Sequence, residues 1–319
     1  MHLVSVVFAY ILDLIIGDPR RITHPVVIIG NLISFCENIL LRIFSTSLQQ
    51  KLGGILLTLF IPTVVFISVK QLVFLFARIN PLAGFFADIW FIYTAIAGKE
   101  LYREGKIIYD LLVKKDLIKA RNRLKFIVGR DTDNLSSEEV VRATVETIAE
   151  NAVDGILSPL FFAFIGGAPL AMAYRAINTL DSMVGYKNKK YKHLGWGSAK
   201  LDDFVNLIPA RICAILMVVT SYLSGFDWRN AYNIIRRDAL KHSSPNSGYP
   251  ESAVAGALDI RLGGINYYEG IPNFRKYIGE PLRELEPVCI INTIKIVFYT
   301  SLIFLLGGVI IRGWLIWVF

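Results

Sequence analysis

Apolar positions in this chain cluster into long runs separated by polar stretches. Residues 52–69 (LGGILLTLFIPTVVFISV) carry no charge. Neither do residues 296–311 (IVFYTSLIFLLGGVII), which join an apolar lead-in from Val288 broken only by Lys295. Runs of roughly 18–20 residues match a helix crossing a ~30 Å hydrocarbon layer. Shorter or interrupted apolar stretches cover 3–16, 82–97, 156–177 and 204–225. The first has the length of a signal peptide, but it lacks a basic flank and a small-residue cleavage site and contains Asp13. It therefore reads as a retained segment.

Residues 52–77 and 82–97 flank Arg78-Ile79-Asn80-Pro81 and predict a helical hairpin. Between 99 and 128, Leu101, Ile108, Leu111, Leu112, Ile118 and Leu124 form an apolar stripe among lysines and arginines. That pattern predicts one or two amphipathic helices at the membrane surface or against a bundle. "GRDTDNLSSEE" breaks the pattern, and Ser136 with Glu139 three residues on predicts a capped new helix. Gly166-Gly167-Ala168-Pro169 divides 156–177 into two apolar halves, the sign of a broken or re-entrant helix covered by protein or water. The polar stretches 98–155, 178–202 and 226–287 carry eleven, five and eight Lys/Arg respectively, so all three read as cytoplasmic. Placing them on one side requires 156–177 and 204–225 to be re-entrant or interfacial. No internal repeat or low-complexity tract is visible. The expected fold is an all-α integral membrane protein. It is a single polytopic domain over 1–319, a helical bundle of about 4–6 membrane segments with amphipathic cytosolic helices.

Composition sharpens this picture. The chain has 319 residues, 54% hydrophobic and 19% charged, with a mean hydropathy of +0.50; soluble domains average about 25% charged. The net charge of +8 suits basic cytoplasmic loops and anionic ligands. Acids interleave with the basic residues, which argues against nucleic acid as a partner. Cys36, Cys213 and Cys289 form no CxxC pair, and His2, His24, His193 and His242 show no HxxxH spacing. A disulfide framework, a zinc site and a zinc hydrolase are thereby excluded. Gly105-Lys106 lacks the spacing and the Ser/Thr of a phosphate-binding Walker loop.

Candidate chemistry falls in four places. "TVETIAENAVDG" sets Glu146, Glu150 and Asp154 at intervals of four, opposite Ile148, Ala149, Ala152 and Val153. Like charges at that spacing cost a helix a few tenths of a kcal/mol per pair. The ladder is either a solvated face or a cation site. Its approach to the apolar 156–177 segment, with Asn151 and Asn178 as neutral oxygens in the same region, favours a hard cation such as Mg2+. "YRAINTLDSMVGYKN" aligns Arg175, Asn178 and Asp181 along a helical strip and leads to Lys187, Lys189, Lys190 and Lys192. "SAKLDDFVNLIPAR" adds Lys200, Asp202, Asp203 and Arg211. "HSSPNSGYPESAVAGAL" offers Ser244, Asn246, Ser247 and Glu251 in a turn before a small-residue helix, which is either an ordinary capped loop or a cradle of N–H groups and hydroxyls for phosphate. Near the N-terminus, Asp13 and "GDPRRITHP" place acids, arginines and His24 beside a membrane segment.

Taken together these stretches resemble the adenosylcobinamide-phosphate synthase family of cobalamin biosynthesis, an integral membrane family. The likeness is carried by "LDLIIGDPRRITHPVVIIG", "GRDTDNLS", "VETIAENAVDGILSPLFFAFIGG", "YRAINTLDSMVGYKN", "SAKLDDFVNLIPARI" and "SSPNSGYPESAVAGAL" followed by "LGG", in that order over roughly residues 12–280. Ser252, where the family often has Ala, and Asp259-Ile260-Arg261 depart from it without removing a polar candidate.

The resemblance implies an ATP- and Mg2+-dependent ligase that joins adenosylcobyric acid to an amino-alcohol phosphate such as aminopropanol phosphate, or to the free amino alcohol. Such an enzyme is expected in the plasma membrane with its site on the cytoplasmic side, with lipid and other membrane enzymes of the pathway as expected partners. The implied site has Glu146, Glu150 and Asp154 for metal and base work, with Asn151 beside them. Arg175, Lys187 and Arg211 would contact phosphate. Asn178, Asp181, Asp202 and Asp203 would be metal or amine partners, and Ser244, Asn246, Ser247 and Glu251 a phosphate-facing loop, with His24 also binding substrate. The competing readings are a transporter using Asp13, Asp88 and the Gly-Gly-Ala-Pro break, and a corrinoid-binding or regulatory relative without ligase activity.

Overall fold

The apolar runs are helical in the computed structural model of the chain, which describes residues 2–18, 24–186 and 190–318. In chain order the helices are α1 (His2–Ile16), α2 (Pro25–Ile43), α3 (Ser47–Ile79), α4 (Pro81–Ala95), α5 (Gly98–Val113), α6 (Leu117–Leu124) and α7 (Ser137–Asn151). A π-helical turn over Ala152–Leu157 follows, then α8 (Ser158–Val184), α9 (Trp196–Val205), α10 (Leu207–Leu223), α11 (Trp228–Asp238) and α12 (Gly248–Leu258). A hairpin of β1 (Arg261–Tyr268) and β2 (Ile271–Gly279) precedes the last helix, α13 (Val288–Val318).

Local chemistry accounts for the boundaries. Thr46 and Gln49 cap α3 reciprocally. Asn80 ends α3 and, through its side-chain oxygen, accepts the Leu82 N–H at 2.8 Å to start α4 with Pro81 in its first turn. Ser136 and Glu139 form the expected capping box: the Ser136 hydroxyl accepts from Glu139 N at 3.2 Å and the Glu139 carboxylate from Ser136 N at 2.7 Å. The amphipathic stretch after residue 98 resolves into two helices, α5 and α6.

Among the described residues, five helical stretches are long and apolar enough to cross a membrane: Pro25–Ile43, Ser47–Ile79, Pro81–Val113, Ser137–Val184 and Val288–Leu315. A sixth arises if Trp196–Val205 and Leu207–Leu223, bent by 46°, act as one broken or re-entrant span. The chain is therefore a multi-pass, predominantly helical membrane protein. Residues 25–43 are an addition to the sequence reading, which left them unassigned. Glu37 interrupts that run but is buried, accepting Lys190 Nζ at 2.7 Å and the Tyr191 hydroxyl at 2.8 Å. Residues 261–279, within the polar stretch 226–287, pair as an antiparallel hairpin, a small addition to a mostly all-α fold. Its two-residue turn, Glu269-Gly270, has φ of 53° and 77°, the left-handed geometry that matches strand twist.

The polypeptide divides into two compact units. One comprises the residues up to Lys99, Ser158–Asn206 and those from Gly307 onward; the other comprises Glu100–Leu157 and Leu207–Leu306. In the first, α3 packs on α8, α4 and α9, and α1 on α4. α8 is broken where expected: Gly166 and Gly167 leave helical geometry, with Gly167 at φ 65° and ψ −157°. The freed Ala168 N–H donates to Asp88 Oδ1 at 3.1 Å. Asp13 likewise accepts Lys99 N at 3.2 Å. Both intramembrane acids thus satisfy backbone at helix breaks, where an unpaired N–H would cost several kcal/mol. In the second unit α12 packs between α10 and α11 and against α7, and the hairpin leans on α12 and α7.

Candidate functional site

In the second unit α7 carries Glu146 and Glu150, and the π turn carries Asp154. A π turn holds more residues than an α turn, so the four-residue ladder is interrupted before its third rung. Glu146 is buried, and both its oxygens are engaged. Oε1 accepts Gly263 N at 2.9 Å, and Oε2 meets Arg130 Nη2 at 2.5 Å and Arg275 Nη1 at 3.6 Å. These contacts make Glu146 an arginine-neutralised anchor between α7 and the hairpin. Arg142, one turn earlier, donates to the Gly263 carbonyl, to Ile265 O at 3.0 Å and to Asn266 Oδ1 at 3.3 Å. Arg130 also donates to Asn266. The bulge that presents both polar groups of Gly263 to α7 requires its φ of 83°, accessible at little cost to glycine.

Glu150 accepts the Ser247 hydroxyl at 2.7 Å. Asn151 donates back to Thr147 O of its own helix at 2.9 Å, and Asp154 is half-buried. In the loop before α12, the Ser244 hydroxyl accepts the N–H groups of Asn246 at 3.2 Å and Ser247 at 3.3 Å. Two amides of the loop are thus held by one of its own hydroxyls. Arg211 donates to Asn246 Oδ1 at 3.4 Å and lies 4.3 Å over the Tyr249 ring.

Glu251, fully buried on α12, is the distinctive group here. Its Oε1 meets Arg275 Nη2 at 3.0 Å and lies 3.6 Å from His242 Nε2, while Oε2 is buried without a hydrogen-bond partner. Burial pushes its carboxyl up to about 8; Arg275 pulls it down, and the charges of Glu146 and Glu150 raise it again. His242 is lowered by burial and then by Arg275. Its Nδ1 accepts the Ser244 N–H at 2.9 Å, and its Nε2 is in contact with Arg275 Nη2. Arg275 itself is raised: burial would lower it, but Glu251, Glu146 and Glu150 prevail. Three arginines, Arg130, Arg142 and Arg275, thus converge on the buried carboxyls of Glu146 and Glu251.

The first unit gathers the other candidates. His24 caps α2 through Nδ1, which accepts Val26 N at 3.3 Å, and its Nε2 lies 4.0 Å from Asp18. His24 also feels the charge of Arg175, which donates to Asn178 Oδ1 at 3.4 Å and has a buried Nε without a partner. Asp202 stands beside Asn178 and Asp181. Its Oδ2 accepts Asn206 Nδ2 at 3.1 Å, but its buried Oδ1 has no hydrogen-bond partner. Asn206 is itself fixed by the Ser158 hydroxyl at 2.6 Å and the Tyr174 hydroxyl at 3.0 Å. A Cβ added to Gly185 would sit 1.9 Å from Asp181 Oδ1, so the space beside that carboxylate is open only because residue 185 has no side chain. Asp203 lies 3.7 Å from Lys200, and its charge also acts on Asp202. Lys187 and Lys189 fall outside the described residues, and Lys190 pairs with Glu37.

Sequence reasoning missed Arg130, Arg142, His242, Asn266 and Arg275. Arg142 precedes Glu146 by four residues and was legible as a helical ion partner. His242 sits two residues before Ser244. Arg275 and Asn266 lie in the unforeseen hairpin and carried no local signal.

The sequence family described as CobD/Cbib protein matches residues 6–297. A protein of Geobacter metallireducens named "Cobalamin biosynthesis protein CobD" is 47% identical over 293 residues, covering 92% of this chain and 91% of that one. One of the same name from Clostridium perfringens is 46% identical over 310 residues, 97% of this chain and 98% of that one. "Cobalamin biosynthesis protein CbiB" of Salmonella arizonae is 41% identical over 315 residues, 99% of each chain. No solved structure matches the chain.

Proposed function

The chain belongs to the CobD/Cbib protein family and has a role in cobalamin biosynthesis; from that premise we propose that it is the ATP-dependent ligase that joins adenosylcobyric acid to aminopropanol phosphate or the free amino alcohol. The observation that carries the chemistry is the buried Glu251, with one oxygen on Arg275 and the other without a partner.

An amide does not form from a carboxylate and an ammonium without activation. ATP transfers its γ-phosphoryl group to the corrinoid carboxylate, giving an acyl phosphate and ADP. The amine nitrogen then attacks the acyl carbon, phosphate leaves with the C–O bonding pair, and the nitrogen gives up a proton. A base that titrates near the working pH serves that proton transfer best, and Glu251 at about 8 is so placed. Arg275, with Arg211 at Asn246, offers cations to the anionic acyl phosphate and leaving phosphate. Glu150 and Ser247 position the loop, and Glu146 with Arg130 and Arg142 holds the hairpin that supplies Arg275.

Mg2+ fits the first unit better than the α7 ladder. The buried, unpartnered Oδ1 of Asp202 beside Asp181 asks for a cation, and two carboxylates with a neutral amide are the donors magnesium takes when phosphates complete its shell. When bound there it would offset phosphate charge. Asp181, Asp202 and Asn178 would hold it, and Arg175 and His24 would meet the accompanying anion. The expected setting is the plasma membrane, with these groups on the cytoplasmic side where ATP is available.

The test is incubation of the purified protein with ATP, Mg2+, adenosylcobyric acid and either amine form. Amide product and ADP in equal amounts support the reading. Corrinoid binding or vesicle flux without ATP turnover would overturn it in favour of a transporter or regulatory relative. Asp13 and Asp88 each accept a backbone N–H, a structural use that does not call on a transported solute.

A further inference from the structure

Away from these groups, the second unit has a groove of about 440 Å³ between the end of α10 and one face of α13, within the range of ~300–1,000 Å³ usual for ligand sites. Lys295, Tyr299, Leu302 and Ile303 line it from α13 at the i, i+4, i+7 and i+8 positions of a single helical face, opposite Leu223 and Ser224. The groove is graded in chemistry. Lys295, Tyr299 and Ser224 supply an ammonium and hydroxyls, while Leu223, Leu302 and Ile303 are purely apolar.

Lys295 is the one charge in the stretch from Val288 to Ile311, and among the described residues no carboxylate pairs with it. A lone cation on a membrane helix is costly unless its head reaches the interface or meets an anion. The surroundings mark the interface. Tyr222 packs edge-on against Trp228 at 5.9 Å, and Arg229 lies 5.4 Å from the centre of that indole. Aromatic and basic residues of this kind collect at the headgroup level of a bilayer.

We propose that this groove is a binding site for an anionic phospholipid, its phosphate on Lys295 and an acyl chain along Leu223, Leu302 and Ile303. Charge complementarity selects the occupant. A zwitterionic lipid would bring a second cation to Lys295, and a soluble phosphate would leave the apolar half of the groove to water. The site shares no residue with the proposed ligase chemistry.

Native mass spectrometry of the full chain in detergent, with equimolar phosphatidylglycerol and phosphatidylcholine, tests this. Selective retention of phosphatidylglycerol is expected. Lys295→Gln should reduce it roughly five- to tenfold, the worth of one basic residue at an anionic surface, and added salt should weaken it. Arg312→Gln, which removes a cation elsewhere on α13, should leave retention unchanged. Ile303→Trp, which fills the apolar half while sparing Lys295, should reduce retention as Lys295→Gln does, and it decides the matter if Lys295→Gln fails to fold. Equal retention of the two lipids, a phosphatidylglycerol preference indifferent to both groove variants, or protection of the groove by adenosylcobyric acid and not by lipid would each overturn the proposal.

Discussion

Arg275 reaches one oxygen of Glu251 and leaves the other alone: Nη2 lies 3.0 Å from Oε1, while Oε2 is buried with no hydrogen-bond partner. A carboxyl held in this way at about 8 is largely protonated at neutral pH and accepts a proton only after ionising. The rate of amide formation should therefore rise with pH through about 8 and then level. Glu251→Gln should lower that rate by about 10²- to 10⁴-fold and abolish the limb. A Gln variant with an unchanged pH–rate profile would remove Glu251 from the chemistry.

Glu146 makes a different prediction, because both its oxygens are engaged by Arg130, Arg275 and Gly263 N. Removing one partner from a buried ion pair strands the other. Glu146→Ala and Arg130→Ala should each destabilise the protein by about 3–5 kcal/mol. The double variant should cost less than their sum, with thermal unfolding in detergent as the readout. If Glu146→Ala melted like the parent chain and lost only metal binding, Glu146 would be a metal ligand and not an anchor.

Asp202 is where a metal effect should appear. Its unpartnered Oδ1 beside Asp181 predicts that Mn2+, used as a spectroscopic stand-in, binds without nucleotide. Asp202→Asn should weaken that binding by about tenfold or more, since a formal charge leaves the donor set. Gly185→Ala should act in the same direction by crowding Asp181. Glu150→Gln should leave Mn2+ affinity intact, and an equal loss in both variants would count against the assignment.

What the sequence made legible was local. The capping pair Ser136 and Glu139, the Asn80-Pro81 turn and the break at Gly166-Gly167 each depend on residues a few positions apart, and each formed as expected. What escaped depends on distant partners. Helix α2 tolerates Glu37 because Tyr191, 154 positions along the chain, receives it. The clamp on Glu146 comes from Gly263, 117 positions away, through a bulge that no periodicity announces. The hairpin did carry a local sign, since Glu-Gly between aromatic and β-branched residues favours a tight turn.

Asp238 gives a stability effect with a defined pH window. Burial alone would raise it, but hydrogen bonds from Arg237, Lys241 and Gly279 N hold it down to about 2, against an ordinary 3.8. Its contribution is complete above about 3.8 and is lost as pH falls through about 2. At neutral pH it amounts to roughly 2 kcal/mol at most, since water screens the half-exposed Arg237 and Lys241. Asp238→Asn should remove that increment and flatten this part of the acid limb of stability. An unchanged acid limb would show that the carboxylate is no better held in the fold than in the unfolded chain.

Asp88 separates structural from transport use of an intramembrane acid. Its Oδ1 accepts the Ala168 N–H that the break in α8 sets free, and an amide oxygen can do the same. Asp88→Asn should therefore retain stability and amide formation. Asp88→Ala, which leaves the buried N–H without an acceptor, should cost about 1–3 kcal/mol. A solute path that needs the charge predicts the opposite order, with the Asn variant inactive despite a normal melting temperature. Measuring melting and product formation on both variants sets the two against each other: a stable but inactive Asp88→Asn would make the charge functional, whereas a stable, active one leaves Asp88 as the cap of a broken helix.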